Sequence, residues 1–225
     1  MIIAIDGPAV SGKSTVAAAL AKELGYFYLY SGLLFRAAAY LLHTHAHYDF
    51  DTINEPSQRD LDLYLDPERL MYTYCQSKGA RILFDGVDIT QRLYGAHISQ
   101  LASQLSTNAA VRALLKEMQH HIANDKDIIV DGRDSGSVVF PHATYKFYLT
   151  ASSDERAKRM QQALEKKGML MTHGDALQEV MVRDKRDSSR AQDPLIKPEE
   201  AIEIDNTGLS RRDTLQKIMT YMNVD

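Results

Sequence analysis

The chain has 225 residues, enough for one sizeable core with a smaller inserted lobe, and its 44% hydrophobic content is that of an ordinary globular protein. With 26 basic against 30 acidic residues the net charge is -4, which excludes the global basic footprint of a nucleic-acid binder; any anion site must be concentrated locally by folding. The single cysteine, Cys75, excludes an internal disulfide, suits a reducing compartment, and reads as a packing residue.

The chain opens with MIIAID, a short β-branched run stopped by Gly7, as a buried parallel strand should be. No basic leader precedes it, and Asp6 cuts its apolar stretch far short of the ~20 residues a membrane span needs, so a cytoplasmic protein with no membrane partner is expected. STVAAALAKEL then shows a helical pattern, as does GLLFRAAAYLLH. The second of these closes into HTHAH, residues 43–47. Three alternating histidines are able to ligate a metal, but no cysteine or second histidine cluster stands nearby. The other reading is a polar loop with a histidine at a helix C-terminus, where positive charge is tolerated.

RLMYTYCQSKGARILFDGVDIT alternates apolar and polar residues around the turn signals SKG and DG, which predicts a small antiparallel hairpin sheet. An inserted lobe is therefore expected over about 65–100, between core segments 1–64 and 101–225 of one unit. DIIVDG and YKFYL read as further buried strands, and SDERAKRMQQALEKK and SRRDTLQKIMTYM as helices with serine caps. Strands alternating with helices predict an α/β fold with a parallel-sheet core flanked by helices.

The stretch Gly7, Pro8, Ala9, Val10, Ser11, Gly12, Lys13, Ser14, followed by Thr15, has the spacing G-x4-G-K-S between a predicted strand and a predicted helix. Glycines let backbone N–H groups curl around phosphates, and the helix N-terminus adds partial positive charge. Lys13 reaches the outer phosphates, and the Ser14 hydroxyl suits magnesium. A nucleoside triphosphate site follows. The guanine-reading order Asn-Lys-x-Asp is missing, the nearest string being NDKD at Asn124, so a GTPase is disfavoured. A nucleoside monophosphate offers a phosphate oxygen already largely deprotonated at neutral pH, so a kinase for such an acceptor needs clustered arginines more than a general base. Arg36 lies one turn into a helix and Arg133 follows a strand end. Arg183, Asp187 and Arg190 fall at i, i+4 and i+7 on one helical face of VRDKRDSSR, whose Asp184, Lys185 and Ser188 are left to solvent.

Through IAIDGPAVSGKST, SGLLFRAAA, GVDIT, ASQLSTNAAVRALL, DGRDSGSVVFP, ASSDERAKR and VRDKRDSSRAQDPL, the chain resembles the long-form bacterial cytidylate kinases, nearly end to end. The resemblance implies a P-loop NTPase fold with an inserted acceptor lobe and a helical lid over about 152–190. It also implies transfer of the γ-phosphoryl of ATP to CMP or dCMP with magnesium, and a monomer. It assigns the acceptor phosphate to Ser31, Arg36, Arg133 and Arg190, the ribose to Arg183 and Asp187, and the base to Ser103, Arg112 and Asp134. Lys13, Arg133 and Arg190 are the residues expected to carry catalysis. Cytosine fits this set, its exocyclic amine donating to a carboxylate while its N3 and carbonyl accept from an arginine.

Blander roles stay open for several of these residues. Arg112 also suits the polar face its helix needs. Asp131 and Asp134 also suit the end of a strand, although Asp131, grouped with the acceptor residues, is favoured as a partner of the phosphate loop or of magnesium at one remove, outside its direct ligands. Arg156 and Arg159 are expected near the adenine and triphosphate, or on a solvated face. Four positions depart from the family pattern: Tyr30 stands where an aspartate is usual, Phe35 where a tyrosine is, and Tyr94 and His97 where a cation and an anion usually fall. The loss at Tyr30 removes a partner for the acceptor arginines. The joint change at Tyr94 and His97 reads as an ion pair replaced as a unit.

Overall fold

A computed structural model describes residues 1–166 and 168–223. The chain divides into two compact units, Met1–Leu24 with Ile129–Asp225, and Gly25–Ile128. Among the described residues no helix is long and apolar enough to cross a membrane.

The first unit contains β1 (Ile2–Asp6), α1 (Lys13–Leu24), β6 (Ile128–Gly132), β7 (Tyr145–Thr150), α6 (Ser153–Glu165), α7 (His173–Ser189), β8 (Ile202–Asp205) and α8 (Arg211–Tyr221). Its strands lie in the order β6, β1, β7, β8, and β7 pairs in parallel with both β1 and β8. The sheet interior explains the apolar runs: Ile3, Ile5, Ile128, Ile129, Val130, Phe147 and Leu149 are all buried. The helix starts are set by side-chain caps. Ser152 accepts from the Glu155 N–H, one residue before the serine that opens the predicted helix, and Thr172 accepts from the Asp175 N–H. Ser210 and Asp213 form a reciprocal capping box.

The second unit contains β2 (Phe27–Tyr30), α2 (Ser31–Ala46), α3 (Gln58–Tyr64), β3 (Leu70–Cys75), β4 (Gly79–Phe84), β5 (Val87–Asp88), α4 (Ala96–Leu105) and α5 (Ala109–Ala123). The three strands β3, β4 and β5 form the antiparallel sheet read from the alternation, with Leu70 opposite Phe84 and Cys75 opposite Gly79. Cys75 is exposed, with Sγ 3.6 Å from the Ser77 hydroxyl, so it is a strand-end residue and not the packing residue expected. Helix α2 runs on through Ala46, so His43 and His45 sit in its last turn, and His47 ends it in the left-handed region at φ 60°.

Two loop positions in the first unit are set by sterics. At Gly7, φ is +149° and an added Cβ would lie 2.1 Å from the Leu149 carbonyl oxygen, so only glycine lets β1 turn beside β7. Gly7→Ala is expected to lower the unfolding free energy by about 3 kcal/mol or more, read as an earlier urea midpoint. An unchanged midpoint would show that the strand end yields.

Candidate active site

The phosphate loop spans Gly7 to Gly12 and delivers Lys13 and Ser14 to the first turn of α1. Val10 has φ 59°, a left-handed conformation rarely adopted by a β-branched residue, so the surrounding structure must hold it. The holding groups are visible on the carbonyl side. Arg156 Nη1 donates to Ala9 O at 3.1 Å, and Arg159 Nη1 and Asn206 Nδ2 donate to Ser11 O at 3.2 and 2.9 Å. Pro8 O accepts from Lys13 Nζ at 2.9 Å. With the Ala9 and Ser11 carbonyls held by these donors, the peptides they belong to are fixed as an anion nest requires, while the Ser11 N–H stays inside the loop on Pro8 O at 3.4 Å.

Lys13 is buried, and that burial, followed by the Arg133 charge, pushes its ammonium well below the ordinary lysine range; Asp131 and Asp187 oppose the shift. Ser14 Oγ donates to Asp131 Oδ2 at 2.6 Å, and Asp131 is buried at the end of β6. This hydroxyl–carboxylate pair is an all-oxygen donor set and fits magnesium, which keeps waters and phosphate oxygens for its other positions. Among the described residues no cluster of three or more His, Cys, Asp or Glu side chains is arranged to hold a metal by itself, at HTHAH or elsewhere.

The DGRDSG segment carries two further arginine partners. Arg133 Nε donates to Asp187 Oδ2 at 2.6 Å, and Arg190 Nη2 lies 3.2 Å from Asp134 Oδ1. Burial pushes the Asp187 carboxyl up, yet Arg133, Arg183 and Arg190 together hold it below the usual carboxylate range. Asp184, expected at the solvated surface, instead pairs with buried Arg156 at 2.7 Å; Lys185 and Ser188 are exposed as expected. Arg156 and Arg159 thus brace the phosphate loop, with Arg159 also bonded to Glu155 and Asn206.

Beside the loop opens a cavity of about 410 Å³, lined by Val10, Gly12, Lys13, Ser14, Thr15, Arg159, Ala163, Asn206, Leu209, Arg211 and others. Asn206 and Leu209 belong to no segment read from the sequence, and Arg211 only to a predicted helix with no site role; all three follow β8, a four-residue strand too short to announce itself.

In the second unit, α2 carries Ser31, which is buried at its first turn, and Arg36, whose Nη1 donates to Leu93 O at 3.1 Å. Helix α4 carries half-buried Ser103, and α5 carries buried Arg112. The Arg112 guanidinium lies 5.6 Å from the centroid of the Phe35 ring, which gives that departure a cation–π role. Tyr30 caps α2 without a side-chain hydrogen bond, and its N–H donates to the Tyr72 hydroxyl at 2.9 Å. His97 Nε2 lies 3.3 Å from His43 Nε2, so one of the altered positions is answered by the histidine run.

Asp6 was absent from the sequence-derived set. Its carboxylate accepts from the Ser135 and Gly136 N–H groups at 2.9 and 2.7 Å, tying the DGRDSG segment to β1.

A family model described as Cytidylate kinase matches residues 3–224. The cytidylate kinase of Pseudomonas syringae pv. tomato (strain ATCC BAA-871 / DC3000) is 39% identical over 219 residues, covering 97% of this chain and 93% of that protein. The cytidylate kinase of Caldanaerobacter subterraneus subsp. tengcongensis is 39% identical over 218 residues, covering 96% and 92%. The crystal structure of an uncharacterized protein from Eubacterium ventriosum ATCC 27560 superposes with a TM-score of 0.56 over 100% of this chain and 99% of that one. At 13% identity this likeness shows a shared fold alone.

Burial, the largest cause, followed by the neighbouring Asp134 charge, raises the Asp6 carboxyl from its ordinary 3.8 to about 6, against the two N–H bonds that lower it. Because the folded value lies above the unfolded one, the associated stability is fully present below pH 3.8 and is lost as pH rises through 6. Asp6→Asn cannot ionise. Its unfolding free energy relative to the parent is therefore expected to rise by about 1.5 kcal/mol between pH 5 and pH 7.5. Urea titrations at the two pH values measure this, and a pH-independent difference would refute it.

Proposed function

The chain belongs to the cytidylate kinase family, and from that footing we propose that it transfers the γ-phosphoryl of ATP to CMP or dCMP in the cytoplasm, releasing ADP and CDP or dCDP. The observation that carries this reading is the convergence of charge within the first unit: Lys13 of the phosphate loop feels Arg133 and Arg183 as well as Asp131 and Asp187. Cations expected to serve donor and acceptor thus share one neighbourhood, which suits two phosphates that repel each other unless positive charge surrounds them.

In the proposed step an oxygen of the CMP phosphate attacks the γ-phosphorus in line. The bond from that phosphorus to the β,γ-bridging oxygen breaks, and its electron pair leaves with ADP. The attacking oxygen is already largely deprotonated, so no side chain needs to remove a proton. Lys13 and the loop N–H groups hold the donor phosphates, and Ser14 with Asp131 would hold magnesium. When bound, that ion neutralises charge on the β- and γ-oxygens. Arg133 and Arg190 bind the acceptor phosphate, each delivered in a fixed direction by its carboxylate. Arg183 and Asp187 take the ribose, and Asp134 takes the exocyclic amine of the base. Ser31, Arg36, Ser103 and Arg112 keep the acceptor roles that the family resemblance assigns. A lid over about 152–190 excludes water, so that the γ-phosphoryl goes to the monophosphate. The cavity beside the phosphate loop has the size and the mixed apolar and cationic lining to receive the nucleoside of ATP. A monomer with small-molecule partners alone completes the reading.

Lys13→Ala is expected to abolish turnover, and Arg190→Ala to raise the KM for CMP far more than the KM for ATP. ADP release measured across CMP, dCMP, UMP and AMP checks both the variants and the acceptor class. Near-normal turnover in both variants, or an acceptor outside the cytidine nucleotides, would overturn the proposal.

A further inference from the structure

Asn206 stands just past β8 and is only 3% exposed. Its backbone is fixed on three sides: its N–H donates to Thr150 O, while its carbonyl accepts from the Leu209 N–H and from Arg159 Nη2. Its carboxamide is equally constrained. Arg159 has donors only, so the atom facing Nη1 at 3.0 Å must be Oδ1, which leaves Nδ2 to donate to Ser11 O at 2.9 Å.

We infer that Asn206 is a positioning residue for the donor triphosphate: with Arg159, it clamps the Ser11–Gly12 peptide so that the Gly12 N–H is presented to the phosphates. The inference rests on the reading of ATP as donor. Its physical basis is the planar trans peptide, in which C=O and N–H point in opposite directions. Two donors on the Ser11 carbonyl therefore fix the Gly12 N–H on the other side. Gly12 has φ +90°, where the absence of a Cβ leaves the peptide free to rotate, so the orientation must come from outside the residue. Rotation would turn the Ser11 oxygen toward the phosphates and convert an attractive dipole into a repulsive one. Arg159 alone leaves one donor on that carbonyl and loses the Oδ1 that steers its own guanidinium. Asn206 thus joins β8, α6 and the phosphate loop through a single side chain.

The test uses Asn206→Ala and the volume-conserving Asn206→Leu in the full chain, with binding of a non-hydrolysable ATP analogue and of CMP measured separately by calorimetry. Loss of one buried hydrogen bond predicts about tenfold weaker analogue binding in both variants, with CMP binding within about twofold of the parent. Analogue binding within twofold of the parent, or equal weakening of both ligands, would overturn the inference, since a merely structural role moves both. Should neither variant fold, a ¹⁵N-edited spectrum of the parent decides: the Asn206 carboxamide pair should shift on addition of the analogue and not of CMP, and a pair unmoved by the analogue refutes the role. If the parent shows no CMP-dependent ADP release while the variants still lose analogue binding, the acceptor reading falls and the role of Asn206 stands.

Discussion

Packing several cations close together before any phosphate arrives is the electrostatic constraint on which the first unit depends. Two unit charges 4 Å apart repel by about 4 kcal/mol at an effective dielectric near 20. The chain interleaves carboxylates to offset this: Asp187 sits among Arg133, Arg183 and Arg190, Asp134 faces Arg190, and Asp184 faces Arg156. An unpaired buried charge costs several kcal/mol, so these pairs are conditions for burying the arginines at all. They also fix each guanidinium in one direction, which matters for a planar group that binds phosphate through a fork of donors.

The same economy governs the backbone. The phosphate loop must show N–H groups to an anion, so its carbonyls need partners elsewhere, and Arg156, Arg159, Asn206 and Lys13 supply them. Asp6 does the reverse for the DGRDSG segment by accepting two N–H groups, at the cost of a buried carboxylate. Donors hold the carbonyls of one segment and an acceptor holds the N–H groups of the other. The two segments that carry Lys13 and Arg133 are thereby placed against the same strand, β1.

Local physics made much of this readable in advance. GPAVSGKS declared itself because strand, loop and helix all lie within two dozen residues, and Arg183 and Asp187 lie one turn apart on α7 as helical geometry requires; Arg190, expected on the same helical face, instead follows the helix as its C-cap with ψ 143°, because α7 ends at Ser189. The antiparallel sheet β3–β5 was visible in alternation and turn residues. Strands β2 and β8 were not, since four residues cannot establish a period. Asp184 was misread because a charge on an exposed helix gives no local sign of its partner, and Arg156 lies 28 residues away. Asp6 and Asn206 were missed for the same reason on a larger scale, since their bonds span about 130 and 195 residues. Side chains that touch substrate tend to sit in motifs, whereas those that aim the backbone depend on tertiary contacts no window contains.

Lys13 differs in kind from the arginines, and the difference orders what binding costs. Under the proposed reading, Arg133 and Arg190 meet the acceptor phosphate with Asp187 and Asp134 beside them, and those carboxylates hold the guanidiniums in place while it binds. Lys13 is buried and donates to a neutral carbonyl, and its ammonium is repelled by Arg133 and Arg183 and attracted by Asp131 and Asp187. Under the proposed reading, a triphosphate entering the loop adds negative charge beside that buried ammonium. On that reading the donor end offers a buried ammonium to the incoming charge, and the acceptor end offers arginines whose direction is set by carboxylates.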